Sequence, residues 1–326
     1  MKAAICTTYG PPDVLQIQDV TKPTPRKNEV LVKIHATTVT ASDGIVRRFE
    51  IPSGGPALQR RILQTMMGLV LGFGKPRKPI LGMICAGEIE ATGPDVTLFK
   101  TGDRVLAFTG TRVGCYAQYV CVPEREGFTL PPNVPSIIGP MPANLDYAEA
   151  AAIPYGGLMA LHFIQHGHLQ RGEQALIYGA SGAIGTAAVQ IAANHVGAEV
   201  TGVCSGRNVD LVRSLGAAHV IDYTQQDTLP PGTAFDFVLD AVGRAKSSPL
   251  KQQAEKALTP NGRAFSVDDG SPKYTEANLH LLVQMIEAGH VKPAIDRTYP
   301  LDEIVEAHRY VDGGHKRGSV VITVAH

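Results

Sequence analysis

The segment ALIYGASGAIGTAAVQIA, residues 175–192, constrains this chain more than any other. An apolar strand runs into Ala180, Gly182 and Gly185 and a helix of small residues follows, which is the GxGxxG turn with alanine in place of its first glycine. Gly182 lets a pyrophosphate approach the backbone, Gly185 lets helix and strand touch, and the helix N-terminus turns its N–H groups toward the anion. Ser181, Ala183 and Ile184 belong to the same turn and join the candidate cofactor contacts. Four further apolar strands follow in order, AEVTGVC, AHVIDY, FDFVLDAVG and GRAFSV, separated by helix-compatible segments such as VDLVRSLG. Such alternation predicts a parallel, doubly wound α/β sheet, the setting in which a dinucleotide turn works.

The end of the second strand bears on the choice of cofactor. An NAD site places a carboxylate there, about 20 residues past the glycines, to hold the ribose hydroxyls. This chain has Ser205, Gly206, Arg207 and Asn208 instead. An acid would repel a ribose phosphate, whereas Arg207 can form charge-assisted bonds to one, so NADPH is the expected cofactor. Tyr223, after the third strand, is placed to stack on the adenine or to be an ordinary surface tyrosine. Asp240, Val242 and Gly243, closing the fourth strand, are expected near the nicotinamide ribose, and Val267, ending the fifth, completes the set.

The first third of the chain has a different texture. Short alternating runs such as EVLVKIHATTV and GDRVLAF, bounded by Gly, Pro or Asn, predict a β-rich domain. Within it, residues 57–74 repeat apolar side chains (Leu58, Ile62, Leu63, Met66, Met67, Val70, Leu71) at helical spacing. The expected helix packs on the domain or over its cleft, the alternative being contact with a membrane surface or a partner. At 326 residues, two domains are expected. Thirty basic residues balance thirty acidic ones, leaving no electrostatic footprint for nucleic acid. Five scattered cysteines without a CxxC pattern argue against a disulfide framework, and with no apolar leader segment visible, a cytosolic location is expected.

Several motifs taken together carry a resemblance. PPDVLQ, EVLVKIHATTVTASD, GEIEATGPDVTLFKTGDRV, YGASGAIGTAAVQIA, CSGRNVDLVRSLGAAHVIDY, FDFVLDAVG and the closing KPAIDRTYPLDEIVEAHRYVDGGHKRGSVVITV occur in one order along nearly the whole chain. In this the chain resembles the medium-chain dehydrogenase/reductase superfamily, in particular its zinc-free quinone oxidoreductase branch. The resemblance implies a GroES-like β catalytic domain, residues 1–125 and 268–326, with a Rossmann domain, residues 126–267, inserted and the active site in the cleft between them. Zinc-dependent relatives carry Cys where this chain has Thr40 and a His-Glu pair where it has Met83 and Ile84. Thr, Met and Ile cannot supply a tetrahedral zinc site, so no metal is expected there. His162, His166 and His168 lie close in sequence, but no acid or thiol completes a metal set, and a polar helix end explains them. Relatives also have Asn at the position of Thr40 and a Thr at that of Met159. The short link from Val267 to Ala277 lacks room for strands through which relatives dimerise, so the oligomeric state stays open.

Without a metal, reduction of an enone or quinone requires a hydride held against an electrophilic carbon and hydrogen-bond donors on the carbonyl oxygen. Thr40, Ser42 and Tyr155 are the candidate donors, each with a turn or cap role as its plain alternative, and water can supply the last proton. Asp43 is expected to order the loop or to cap a helix. The expected activity is NADPH-dependent reduction of a small quinone or α,β-unsaturated carbonyl. The alternatives are an alcohol or aldehyde dehydrogenase and an NADPH-binding redox sensor or structural protein.

Overall fold

The structure is a computed structural model that describes residues 1–50, 57–125, 135–244, 246–270 and 272–326. The chain opens with β1 (Lys2–Cys6), β2 (Leu15–Asp19), β3 (Glu29–Val39), α1 (Ala41–Arg48) and α2 (Ala57–Leu71). Next come β4 (Ile84–Thr92), β5 (Arg104–Phe108), β6 (Tyr119–Pro123), β7 (Ile137–Pro140), α3 (Tyr147–Ala151) and α4 (Pro154–His166). The middle runs β8 (Gln174–Tyr178), α5 (Ala183–Gln190), β9 (Glu199–Cys204), α6 (Val209–Ser214), β10 (His219–Asp222), β11 (Phe235–Asp240), α7 (Pro249–Lys256) and β12 (Leu258–Ser266). The end is α8 (Glu276–Glu287), β13 (Ile295–Pro300), α9 (Ile304–Asp312) and β14 (Ser319–Thr323).

The run EVLVKIHATTV becomes β3, the spine of the first sheet, whose strand order is β13-β14-β3-β4-β5-β7 with β6 also on β3. Its second half pairs with β14, so both ends of the chain close one sheet. The five strands read after the glycine turn form the second sheet, all parallel, in the order β10-β9-β8-β11-β12. Between β8 and β11 the strand order reverses, and their ends are flush, Tyr178 opposite Asp240. A crevice beyond the carboxyl ends at such a reversal is where open α/β sheets bind their ligands. The GroES-like sheet and the Rossmann-type sheet expected from the sequence are both present.

The domain boundary differs from expectation. Position 126 lies outside the described residues, but β7 pairs with β5, so the first sheet extends to Pro140. Four residues ending in proline are too short a run to reveal by periodicity which sheet they join.

The expected helix at 57–74 forms as α2, with Met67, Val70 and Leu71 partly buried, and the Tyr9 hydroxyl donates to the carbonyls of Leu71 (3.0 Å) and Gly72 (3.1 Å). Ile62 and Met66, grouped with those apolar residues in the sequence, are exposed instead. The side chains of Leu58 and Leu63 lie outside the described residues.

All five cysteines are free, four of them buried and Cys121 half-buried. Burial pushes Cys6, Cys121 and Cys204 up to about 11.

Arg47 of α1 is fully buried and ties α1 to α9. It donates to the Gly10 carbonyl (2.7 Å) and to His308 Nδ1 (3.3 Å), and it pairs with Asp312. Burial, with the adjacent Arg47 guanidinium, holds His308 down to about 3. Unfolded histidine titrates near 6.5. Between these values only the unfolded chain binds the proton, so this contribution is complete above roughly pH 6.5 and is lost as pH falls toward 3. His308→Asn should flatten the dependence of the urea midpoint on pH in that window. An unchanged slope in the variant would show that His308 is not the titrating group.

Candidate active site

The glycine turn leaves β8 at Gly179 and enters α5 with Gly182 as its N-cap. A Cβ at Gly185 would lie 2.1 Å from the Gly179 carbonyl oxygen, so only hydrogen lets α5 rest on the strand end. A Cβ at Gly182 would meet nothing nearer than 3.5 Å. The fold therefore needs glycine at 185, whereas 182 is an open face of the turn, available to a ligand. Alanine at 180 has its own explanation: its methyl sits over Gly202 of β9, which has no side chain to meet it. Gly156 of α4 lies against the Ala183 carbonyl, where a Cβ would come within 2.1 Å. That contact sets the first turn of α4, which carries Tyr155, against the first turn of α5.

Asn208 is buried and donates from Nδ2 to the hydroxyls of Ser181 and Ser205, both at 3.0 Å, while its Oδ1 has no partner. An orphaned acceptor beside an open glycine face fits the ribose and pyrophosphate of a dinucleotide, and Gly182, Ser181 and Asn208 would hold them. Arg207 is exposed and donates to the His315 carbonyl at 2.8 Å. Tyr223 is exposed at the end of β10. An acid also stands here that the sequence reading missed, because it comes from the third strand and not the second. Asp222 accepts from the Thr224 N–H (2.9 Å) and hydroxyl (2.7 Å), and a Cβ on Gly206 would lie 2.5 Å from its oxygen. The only sequence signal was an Asp closing AHVIDY.

Asp240 does not offer its carboxylate to a ligand. It is buried, accepts from the N–H groups of Val242 (3.0 Å) and Gly243 (3.2 Å) and from the Ser266 hydroxyl (3.1 Å), and pairs with Lys251 Nζ at 2.6 Å. It thereby shapes the turn that lays Val242 against Gly179, where a Cβ would meet the valine methyl at 2.4 Å. Val267 is linked to it through a backbone bond to the Asp240 carbonyl (3.0 Å).

A further contact comes from the far end of the chain. Gly318 donates its N–H to the Ser181 carbonyl at 2.8 Å, and the Ser319 hydroxyl donates to the Ala152 carbonyl at 2.7 Å. The segment GGHKRGS thus lays the first domain's closing strand on the dinucleotide turn, and its glycines and cations were the only hint in the sequence.

Across the cleft, Thr40 caps α1. Its hydroxyl donates to Asp43 Oδ2 (2.6 Å) and accepts the Asp43 N–H (3.2 Å), while the same carboxylate takes the Thr40 N–H (2.8 Å). Thr40 and Asp43 are both buried in this capping box, so of their two possible roles the structure shows the cap. Burial pushes Asp43 up to about 6 against the pull of the Thr40 bonds. Ser42 and Tyr155 behave differently: both are half-buried, and their hydroxyl oxygens lie 2.9 Å apart. Burial raises the Tyr155 phenol above its ordinary value, with the Asp43 charge adding to the effect and the Ser42 bond opposing it. Met159 is buried under Tyr274, whose ring also packs on Phe108 at 4.7 Å. Met83 and Ile84 are core residues. His162 and His166 stack on each other at 5.8 Å, and among the described residues no three His, Cys, Asp or Glu side chains converge.

Residues 26–132 match a family described as Alcohol dehydrogenase GroES-like domain, and residues 183–285 and 265–322 match families described as Zinc-binding dehydrogenase. The mouse protein named NAD(P)H oxidoreductase RTN4IP1, mitochondrial, is 30% identical over 99% of this chain and 89% of its own length. The chain belongs to the medium-chain dehydrogenase/reductase superfamily, among its quinone-oxidoreductase-like members. A tomato member, 2-methylene-furan-3-one reductase, is 29% identical over 99% of this chain and 79% of its own. Among solved members, the quinone oxidoreductase of Coxiella burnetii is 28% identical and superposes with a TM-score of 0.81, covering 100% of this chain and 99% of the other.

The turn gives a direct contrast in this member of the superfamily. Gly182→Ala should keep its melting temperature within a few degrees yet lose about tenfold or more in dinucleotide affinity, read by cofactor fluorescence. Gly185→Ala should be destabilised by about 1–3 kcal/mol, because its methyl meets backbone. Equal stability of the two variants would refute this division of roles.

Proposed function

We propose that this chain reduces quinones or α,β-unsaturated carbonyls by hydride transfer from NADPH, without a metal. The observation that carries the reading is the Ser42–Tyr155 hydroxyl pair, 2.9 Å apart, with Tyr155 on the turn of α4 that packs against α5 through Gly156. One hydrogen bond between two hydroxyls uses one O–H and leaves the other free to donate to a third oxygen. The raised phenol of Tyr155 keeps that proton at neutral pH. As charge develops on the acceptor oxygen, the pair stabilises it in place, and water completes protonation of the enolate or hydroquinone anion.

NADPH, when bound, supplies the hydride. The glycine turn and Asn208 bind its diphosphate and ribose, Val242 orders the turn from above, and Arg207 faces the ribose phosphate at the rim. Asp222 works against that phosphate but is already engaged by Thr224, and Arg207 carries the fixed positive charge. The names of the relatives support the substrate class and the cofactor: NAD(P)H oxidoreductase in mouse, NADPH-dependent alkenal/one oxidoreductase in Arabidopsis thaliana and quinone oxidoreductase in Coxiella burnetii. The residues at 40, 83 and 84 support the absence of a metal, since none is a thiolate, imidazole or carboxylate.

The test is oxidation of NADPH with a benzoquinone and with an alkenal, before and after a chelator. Turnover of either acceptor, unaffected by chelation, is the expected result. No turnover of both, or loss on chelation, would sink the proposal. Tyr155→Phe should lower kcat by about 10²-fold with little change in NADPH affinity. Arg207→Glu should weaken NADPH by about tenfold or more while changing NADH far less, since only NADPH carries the phosphate. Equal losses for both cofactors would remove Arg207 from the phosphate site.

A further inference from the structure

Seven large apolar side chains stand exposed among the described residues, and four of them fall between positions 62 and 73: Ile62 (54%), Met66 (56%), Leu69 (59%) and Phe73 (59%). On a helix of 3.6 residues per turn, positions 62, 66 and 69 fall within an arc of roughly 60°. Phe73 folds back onto the last turn of α2, its ring over Gly68, where a Cβ would meet it at 2.1 Å. The opposite side of α2, through Met67, Val70 and Leu71, is the one that packs on the domain. The exposed stripe is therefore not the face that holds the helix in place.

The charge around this stripe is one-sided. Between Glu50 and Glu88 the sequence contains Arg60, Arg61, Lys75, Arg77 and Lys78 and no acidic residue, in a chain with no net charge. Arg61, Lys75, Arg77 and Lys78 are exposed. Beside the helix runs a groove of about 690 Å³, lined by Leu69 and Val70 together with Arg26, Lys78 and Arg112, and its one acid, Glu29, is buried and paired with Arg112 at 3.1 Å. No described helix is long and apolar enough to cross a membrane. An apolar stripe whose own segment carries exposed cations and no acid suits a surface that is apolar beneath and anionic above. Two copies of this chain meeting here would set like charges against each other.

We propose that α2 and the following segment to Lys78 form a docking surface for an anionic lipid bilayer. The helix lies in the plane of the interface, with Ile62, Met66, Leu69 and Phe73 in the acyl boundary and Arg61, Lys75, Arg77 and Lys78 at the level of the phosphates. The proposal is independent of the oxidoreductase reading.

It is tested by co-sedimentation of the full chain with vesicles of phosphatidylcholine alone and of phosphatidylcholine mixed with phosphatidylglycerol. Binding to the mixed vesicles only, weakened by added salt, is expected. Met66→Glu/Leu69→Glu and, separately, Lys75→Glu/Arg77→Glu should each lower the partition coefficient by about tenfold or more, with melting temperature and NADPH affinity unchanged. The proposal is overturned if the wild-type chain stays in the supernatant with the mixed vesicles, or if it binds both kinds alike. It is also overturned if both double variants bind as the wild type does. Sedimentation velocity closes the remaining route: a dimer that Met66→Glu/Leu69→Glu dissociates, with no vesicle binding, would assign the stripe to self-association instead.

Discussion

The approach of α5 to the end of β8 at Gly185 is the constraint from which the rest of the site follows. Backbone meets backbone there, and several other segments use the same device against the same turn. Gly156 brings α4 onto the Ala183 carbonyl, Gly202 makes room for the Ala180 methyl, and Gly179 receives Val242. Gly318 reaches the turn through a backbone bond, from a strand of the other sheet. Because each contact involves main chain or a single methyl, little side-chain freedom remains in the turn. A turn held from both domains is a pre-organised cradle.

Carboxylates serve architecture more than chemistry in this cleft. Asp240 takes four hydrogen-bonding partners and Asp43 closes a capping box, so neither has acceptor capacity directed at a ligand. In the function proposed above, an incoming oxygen meets a pair of neutral hydroxyls, Ser42 and Tyr155. Neutral donors suit an oxygen that gains charge only as hydride arrives, since they do not clamp the uncharged acceptor as a fixed cation would.

Much of this was legible in the sequence. The glycine turn, the five parallel strands and the spine strand β3 were all visible, because each is written as an uninterrupted pattern of apolar periodicity and turn residues. Pairings across long separations were not. Ser42 and Tyr155 are 113 residues apart, and Gly318 and Ser181 meet only because the last strand returns to the first sheet. The direction of a polar side chain was equally hidden. Thr40 and Ser42 are two positions apart and similar in chemistry, yet the first turns into a cap and the second pairs with Tyr155 of another helix. Ile62 and Met66 show the same limit for apolar residues, since periodicity places them on a helix without saying which face is covered.

The cysteines carry a consequence of their own. Quinones and enones are electrophiles that alkylate thiolates, and an enzyme that handles them runs the hazard of modifying itself. Here burial keeps four of the thiols out of reach and pushes the pKa of Cys6, Cys121 and Cys204 up to about 11, so that almost no thiolate of these three exists at neutral pH. The thiols of a protein built this way are poor nucleophiles toward the compounds proposed as its acceptors.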